Sequence, residues 1–194
     1  MTQDPQGRVL IIAGSDSGGG AGIQADIKTC SAIGAYAMTA VTAVTAQNTL
    51  GVQAVEFMTP ALVKAQIESC LSDIGADVVK IGMLGTKVII DVVAEAVDEL
   101  DAFVILDPVA VATSGDALLE PDAVAALRDA LLPLADLVTP NVPEAELLTG
   151  LKITDVDDLT KAGDALLERG VYAALMKGGH FDGNAVVDVL VSEQ

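Results

Sequence analysis

Three residues of this 194-residue sequence carry oxygen ligands of the kind that Mg²⁺ prefers. Asp107 follows one apolar run, and Asn141 and Glu144 follow the next one. Such hard ligands suit a partly hydrated Mg²⁺ that bridges to a phosphate group. Lys177, which two glycines follow, presents an ammonium group beside flexible backbone N–H groups, and this suits a polyphosphate. Together the four residues indicate a phosphoryl-transfer site, where positioning and charge neutralisation provide most of the catalysis.

Gln47 offers a different chemistry. Its side-chain amide carries both a donor and an acceptor, so it can recognise a heterocycle that shows a ring nitrogen beside an amino group. It directly follows residues 35–46, which are small or β-branched and nearly uncharged. That composition predicts a strand covered on both faces, with Gln47 at its carboxyl end.

The stretch from Gly14 to Asp26, GSDSGGGAGIQAD, predicts a glycine-rich turn between a strand at residues 9–13 and a helix. Its glycines permit positive φ angles and let a small polar ligand approach the main chain closely. Neither familiar phosphate-binding spacing is present, because GxxxxGK[ST] is missing and GxGxxG fits only by choosing among redundant glycines. Asp16 and Asp26 would also repel a phosphate. A plain strand-to-helix turn is the alternative interpretation.

The remaining chain alternates between short apolar runs and amphipathic segments. This order predicts an α/β fold in one domain, residues 1–194, with right-handed crossovers and a mostly parallel sheet that has helices on both faces. Ligands of such sheets bind beyond the carboxyl ends of the strands, where the polar residues named above are expected. The predicted strands are 9–13, 35–46, 51–59, 77–81, 102–106, 136–139 and 172–176, and the predicted helices after the first are 60–74, 86–100, 121–132, 144–148 and 155–169.

Charge and composition exclude several partners. Twenty-eight acidic residues against 10 Lys and Arg give a net charge of −18, which argues against nucleic acid or an anionic membrane surface. There is no run of eighteen uncharged apolar residues, and the start MTQDPQGR does not resemble a signal peptide, so a cytoplasmic location is expected. Cys30 and Cys70 are predicted to be free core thiols. His180 is predicted to be structural or exposed.

Six stretches give the sequence a specific resemblance: IIAGSDSGGGAGIQADIKT, VTAQNTLGV, KIGMLG, DPV, TPNVPEAELL and MKGGH. In this order and at these distances they resemble the hydroxymethylpyrimidine and phosphomethylpyrimidine kinases of thiamine synthesis, over essentially the whole chain. The resemblance implies a three-layer ribokinase-like fold and a homodimer. It also implies ATP-dependent phosphorylation of 4-amino-5-hydroxymethyl-2-methylpyrimidine, and then of its monophosphate.

The resemblance also implies roles for particular residues. Asp107, Asn141 and Glu144 would organise Mg²⁺ and its waters, and Lys177 would hold the phosphates of ATP. Related kinases accept pyridoxine-type alcohols, so vitamin B6 compounds are alternative substrates. The residues that would line the pyrimidine pocket are Gly14, Ala21, Asp26, Gln47, Met83 and Val109.

The sequence departs from the family pattern in one respect. The family has a glycine-rich GTGC-type stretch after its last strands, which supplies an anion hole and the catalytic base, and the chain reaches Gln194 before such a stretch. We therefore expect these 194 residues alone to turn over poorly. Either the polypeptide is incomplete, or it is a shortened homologue that binds the pyrimidine without phosphorylating it. A dinucleotide-dependent oxidoreductase is a third hypothesis, motivated only by the first glycine-rich turn.

Overall fold

The computed structural model describes residues 7–110, 119, 121–179 and 185–192. They form one eight-stranded sheet with six α-helices. In chain order the strands are β1 (Arg8–Ser15), β2 (Tyr36–Asn48), β3 (Gly51–Phe57), β4 (Val78–Ile81), β5 (Phe103–Leu106), β6 (Leu137–Val138), β7 (Ala173–Met176) and β8 (Val189–Ser192). The helices are α1 (Gly22–Ile33), α2 (Pro60–Asp73), α3 (Lys87–Val97), α4 (Pro121–Ala126), α5 (Val142–Thr149) and α6 (Val156–Leu167).

The sheet is mostly parallel, as the alternating sequence predicts. Its order is β3-β2-β1-β4-β5-β6-β7-β8, and only the edge strands β3 and β8 pair antiparallel to their neighbours. Strand β8 was absent from the sequence prediction, although three of its four residues, Val189 to Val191, are apolar; in the structure these residues alternate between half-buried and exposed. It packs closely on α6: a Cβ added to Gly163 would lie 2.5 Å from Val191 Cγ2.

The two faces of the sheet are covered unequally. On one face, alternate β1 residues such as Leu10 and Ile12 join a large core with side chains of α2 to α6. On the other face, Ile11 and Ala13 pack against α1 in a small separate cluster. Among the strands described, β1 is therefore the one buried on both faces, while β2, β4, β5 and β7 show alternating burial. The prediction that residues 35–46 are covered on both faces was wrong in this respect.

Two helices differ from their predicted form. The segment 121–132 is not one continuous helix: α4 ends at Ala126 and a single π turn, Leu127–Leu131, follows, with a 3₁₀ turn from Leu132 to Leu134. The wider turn places Leu127, Leu131 and Leu132 in the core together. In α1, the spacing of Ile23, Ile27 and Cys30 in the sequence predicts one apolar stripe, but Ile27 is 36% exposed.

Both cysteines lie within the described residues, whereas two other predicted features do not. Cys30 is buried, Cys70 is half-buried, and both are free thiols. Residues 114–116, whose sequence Ser-Gly-Asp is typical of a turn, and His180 lie outside the described residues. No helix in the described ranges has the length and apolar character needed to cross a membrane.

Candidate active site

The glycine-rich turn after β1 is closed around a side chain of its own. The Asp16 carboxylate, 6% exposed, accepts hydrogen bonds from the backbone N–H groups of Gly18 at 2.7 Å, Gly20 at 2.9 Å and Ala21 at 2.8 Å. Burial raises the pKa of Asp16, but these backbone hydrogen bonds outweigh it and hold the pKa below its ordinary value. The turn therefore carries an internal anion where a phosphate-binding loop would carry its ligand.

The same turn is tied to the end of β2. Ser17 Oγ donates to the Gln47 carbonyl oxygen at 2.9 Å and accepts from the Gln47 N–H at 2.8 Å. Thr45 Oγ1 donates to the Ser15 carbonyl oxygen at 2.8 Å and lies 3.2 Å from Gln47 Oε1. An irregularity in the β2–β3 register falls between Ala46 and Gln47. The turn and the bulged strand together fix the backbone at Gln47, a residue whose side chain lines the cavity described next.

A cavity of about 260 Å³ opens beside this turn. This volume admits one small ring rather than a nucleotide. Close packing shapes the wall, because a Cβ added to Gly14 would lie 2.5 Å from Met83 Cε. All six residues predicted for the pyrimidine pocket line this one cavity, namely Gly14, Ala21, Asp26, Gln47, Met83 and Val109.

Several residues of the cavity wall were not predicted from the sequence, and one of them, Lys80, carries a charge. Lys80 Nζ lies 3.0 Å from Asp26 Oδ2, and both side chains are 23% exposed. Burial raises the pKa of the nearby Cys30 thiol, and the negative charge of Asp26 raises it further. The available sequence signal was a lysine inside the otherwise aliphatic strand VVKI. The other missed wall residues are Ala13, Ser15, Gly22, Ala25, Thr45 and Gly82.

Asp107 connects the cavity to a second group of polar residues. It follows β5 and lines the cavity, and the N–H of Val109 donates to its carbonyl oxygen at 2.8 Å. Its Oδ1 accepts from Lys177 Nζ at 3.0 Å and from Thr139 Oγ1 at 3.2 Å. Asp107 and Lys177, 70 positions apart in the chain, thus meet at the carboxyl ends of β5 and β7, the two strands that flank β6.

Asn141 and Glu144 form a capping box at the start of α5. Asn141 Oδ1 accepts from the Glu144 N–H at 2.9 Å, and Glu144 Oε2 accepts from the Asn141 N–H at 2.9 Å. Glu144 is 4% exposed, and burial raises its pKa, although hydrogen bonds from Asn141 and Ala110 and the charge of Lys177 act in the opposite direction. An isolated parallel bridge between Asn141 and Lys177 brings this helix start beside the ammonium group.

The donor set fits a hydrated Mg²⁺ better than a directly caged one. Within the described ranges, no three His, Cys, Asp or Glu side chains converge to hold a metal ion. The capping box engages Asn141 Oδ1 and one oxygen of Glu144, and Lys177 engages one oxygen of Asp107. Asp107 Oδ2 can accept hydrogen bonds from water ligands of Mg²⁺, an ion that keeps several waters in phosphate sites.

Lys177 and the backbone of Gly178 both have partners within the protein. The ammonium group pairs with Asp107, and the Gly178 N–H donates to Asp188 Oδ1 at 3.0 Å. Gly178 is also packed tightly, because a Cβ there would overlap the Val187 carbonyl oxygen. A phosphate at this position would therefore compete with two internal carboxylates.

Comparison with known proteins assigns this architecture to a family. The family model described as phosphomethylpyrimidine kinase matches residues 16–194. The chain belongs to the phosphomethylpyrimidine kinase family. Its predicted enzyme class, a kinase of thiamine biosynthesis, is thereby confirmed, and so is the predicted fold. The oxidoreductase hypothesis loses its only support, because Asp16 occupies the glycine-rich turn.

Individual relatives agree with this assignment. The hydroxymethylpyrimidine/phosphomethylpyrimidine kinase of Rhizobium meliloti (strain 1021) is 50% identical over 93% of this chain, which spans 68% of that protein. A crystal structure of phosphomethylpyrimidine kinase from Clostridium difficile 630 has a TM-score of 0.90 at 49% identity, covering 96% of this chain and 80% of the other. Pyridoxal kinase from Staphylococcus aureus, solved with AMP-PCP and pyridoxal, has a TM-score of 0.87 at 36% identity, covering 96% and 68%.

Proposed function

We propose that the protein binds 4-amino-5-hydroxymethyl-2-methylpyrimidine in the cavity beside the glycine-rich turn and transfers a phosphoryl group from ATP to its hydroxymethyl oxygen. The observation that carries this proposal is the convergence of the six predicted pocket residues on one cavity of about 260 Å³. Asp107 belongs both to that cavity and to the ion pair with Lys177. A substrate in the cavity would therefore lie next to the cation assigned to the phosphates.

Gln47 would recognise the pyrimidine, and Lys177 together with Mg²⁺ would neutralise the charge of the phosphates. Gln47 can donate to a ring nitrogen and accept from the neighbouring amino group. Lys177 would exchange its contact with Asp107 for contacts with phosphate oxygens, which places positive charge where negative charge is transferred. Asp107 and Glu144 would hold the waters of Mg²⁺, and the ion would supply further charge neutralisation on the phosphates.

The test separates binding from turnover. Calorimetry measures the dissociation constant of the pyrimidine, and a coupled assay measures pyrimidine-dependent ADP release. We expect Gln47→Ala to weaken pyrimidine binding, and Lys177→Ala to lower ADP release by about 10²-fold while binding persists. Asp107→Ala should impair both. Lys64→Ala, which removes a surface ion pair with Glu95, is the matched control and should change neither.

Two outcomes would contradict the proposal. If all three site variants keep the wild-type rate, the residues do not form the site. If the protein binds the pyrimidine but releases no ADP above the rate of Lys177→Ala, it is a binding protein rather than a kinase. The chain spans 68% of the length of the Rhizobium relative, so the polypeptide that is assayed must be defined. Intact mass against 19.7 kDa establishes which polypeptide is present.

A second substrate class is favoured by one observation. The Staphylococcus aureus enzyme that shares 36% identity was solved with pyridoxal, so vitamin B6 alcohols are the second candidate substrates. The same coupled assay with pyridoxal in place of the pyrimidine tests this. Phosphorylation of the pyrimidine monophosphate, a homodimeric state and a cytoplasmic location are further proposals from the family resemblance, and sedimentation velocity tests the second of these.

A further inference from the structure

Lys80 is a charged residue in a strand that otherwise consists of aliphatic side chains. Strand β4 pairs with β1 on one side and β5 on the other, in the middle of the sheet. Its register places Lys80 between Ile11 and Ile105, on the face that packs against α1. An ammonium group in this position gives up hydration that it would keep on the surface, so it requires compensation from its surroundings.

Asp26 provides that compensation within the cavity wall. The Lys80 Nζ to Asp26 Oδ2 distance is 3.0 Å. The ammonium group also lies against the backbone of Gly82, where an added Cβ would be 3.1 Å away. In the part of the chain that the structure describes, Asp26 Oδ1 accepts no hydrogen bond. Among the described residues, the pair thus occupies only Oδ2 of Asp26, a partly exposed residue that lines the cavity.

We propose that Lys80 is a positioning residue that sets the specificity of the cavity for an aminopyrimidine. Lys80 fixes the Asp26 carboxylate through Oδ2, and Oδ1 then accepts a hydrogen bond from the exocyclic amino group of the ligand. This proposal rests on the proposed function. An amino group carries two N–H donors and can serve Asp26 and Gln47 together.

A ligand with a carbonyl oxygen at the same ring position gives a matched comparison. That oxygen would face the Asp26 carboxylate, which leaves two acceptors together and a polar group unpaired. Removing Lys80 should therefore reduce discrimination between the amino and the oxo ligand. A lysine that only ties α1 to β4 would affect both ligands equally.

The experiment measures dissociation constants by calorimetry for 4-amino-5-hydroxymethyl-2-methylpyrimidine and its 4-oxo analogue. In Lys80→Met we expect the amino ligand to bind about tenfold or more weakly, because a hydrogen bond to a fixed charge is lost, and the oxo ligand to change by less than about threefold. Lys80→Arg keeps the charge and should restore most of the discrimination. Lys64→Met removes a lysine of the surface pair with Glu95 and should have no effect.

A double variant distinguishes a loss of specificity from a loss of folding. Lys80→Met alone leaves the Asp26 carboxylate unpaired, whereas Asp26→Leu with Lys80→Met replaces the whole pair by apolar side chains, which proteins often tolerate. We expect the double variant to unfold at the wild-type temperature and to have lost its preference for the amino ligand.

Each outcome is decisive. Unchanged discrimination in Lys80→Met or in the double variant overturns the proposal, as does an equal loss for both ligands without rescue by Lys80→Arg. In these cases wild-type binding of the amino ligand shows that the pyrimidine-binding part of the proposed function stands, and ADP release tests the rest separately. If the wild-type protein binds neither pyrimidine, the proposed function fails and this proposal fails with it.

Discussion

Replacing Asp16 by asparagine changes a single atom type in the centre of the glycine-rich turn. The two carboxylate oxygens accept three backbone N–H groups, those of Gly18 on Oδ1 and of Gly20 and Ala21 on Oδ2. An asparagine amide has one oxygen and one NH₂ group, so it can serve only one of the two sides. On the other side, an N–H donor then faces backbone N–H donors in a buried site.

The magnitude follows from this count. A buried donor left without an acceptor costs about 1–3 kcal/mol, and the surviving bonds lose a charged acceptor. The Asp16→Asn variant leaves one or two donors unsatisfied, depending on which side the amide oxygen faces. We therefore expect the free energy of unfolding to fall by about 2–4 kcal/mol. Urea denaturation followed by circular dichroism measures this value, with Asp164→Asn on the exposed side of α6 as the matched control.

The pH dependence provides an independent check. The pKa of folded Asp16 lies below its unfolded value of about 3.9. Ionised Asp16 therefore stabilises the fold above the unfolded pKa, and this contribution is lost as the pH falls through the folded pKa. The variant should lose less stability than the wild type on acidification below about pH 4. A loss of unfolding free energy below about 0.5 kcal/mol, together with an unchanged acid profile, would refute the assignment of Asp16 as the internal anion.

Two further predictions concern the cavity and the polar site. Gly14→Ala should weaken pyrimidine binding about tenfold or more, because the new Cβ displaces the Met83 methyl group into the cavity. Gly7→Ala, where an added Cβ has room, is the control and should bind as the wild type does. Equal pyrimidine affinities of Gly14→Ala and the wild type would refute this packing argument. Glu144→Gln should flatten the stability profile above about pH 4, because the raised pKa of Glu144 means that its ionisation destabilises the fold as the pH rises through the folded pKa. Thermal unfolding from pH 4 to 7 measures this, and a profile as steep as that of the wild type would contradict it.

Several features of this protein were predictable because they depend on local sequence. Apolar periodicity and glycine or proline at segment ends specify which residues form strands and helices, and this order determines a mostly parallel sheet. Polar residues directly after strands must then share one edge. Gln47, Asp107 and Lys177 were predicted to lie there on this basis, and they line or adjoin one cavity in the structure.

Other features required the tertiary structure, because they depend on contacts between distant residues. Asp26 and Lys80 are 54 positions apart, and no local pattern states that they pair. The sequence offered Asp16 as a carboxylate that repels phosphate, but only the folded turn reveals that it accepts the N–H groups a phosphate would use. The position of strand β8 at the sheet edge likewise depends on distant partners, because it pairs with β7 and packs on Gly163 of α6. Whether a segment forms a helix or a strand depends mainly on residues that are close together in the sequence. Which charges pair, and which strand joins the sheet edge, depends on which distant segments the fold brings within a few ångströms.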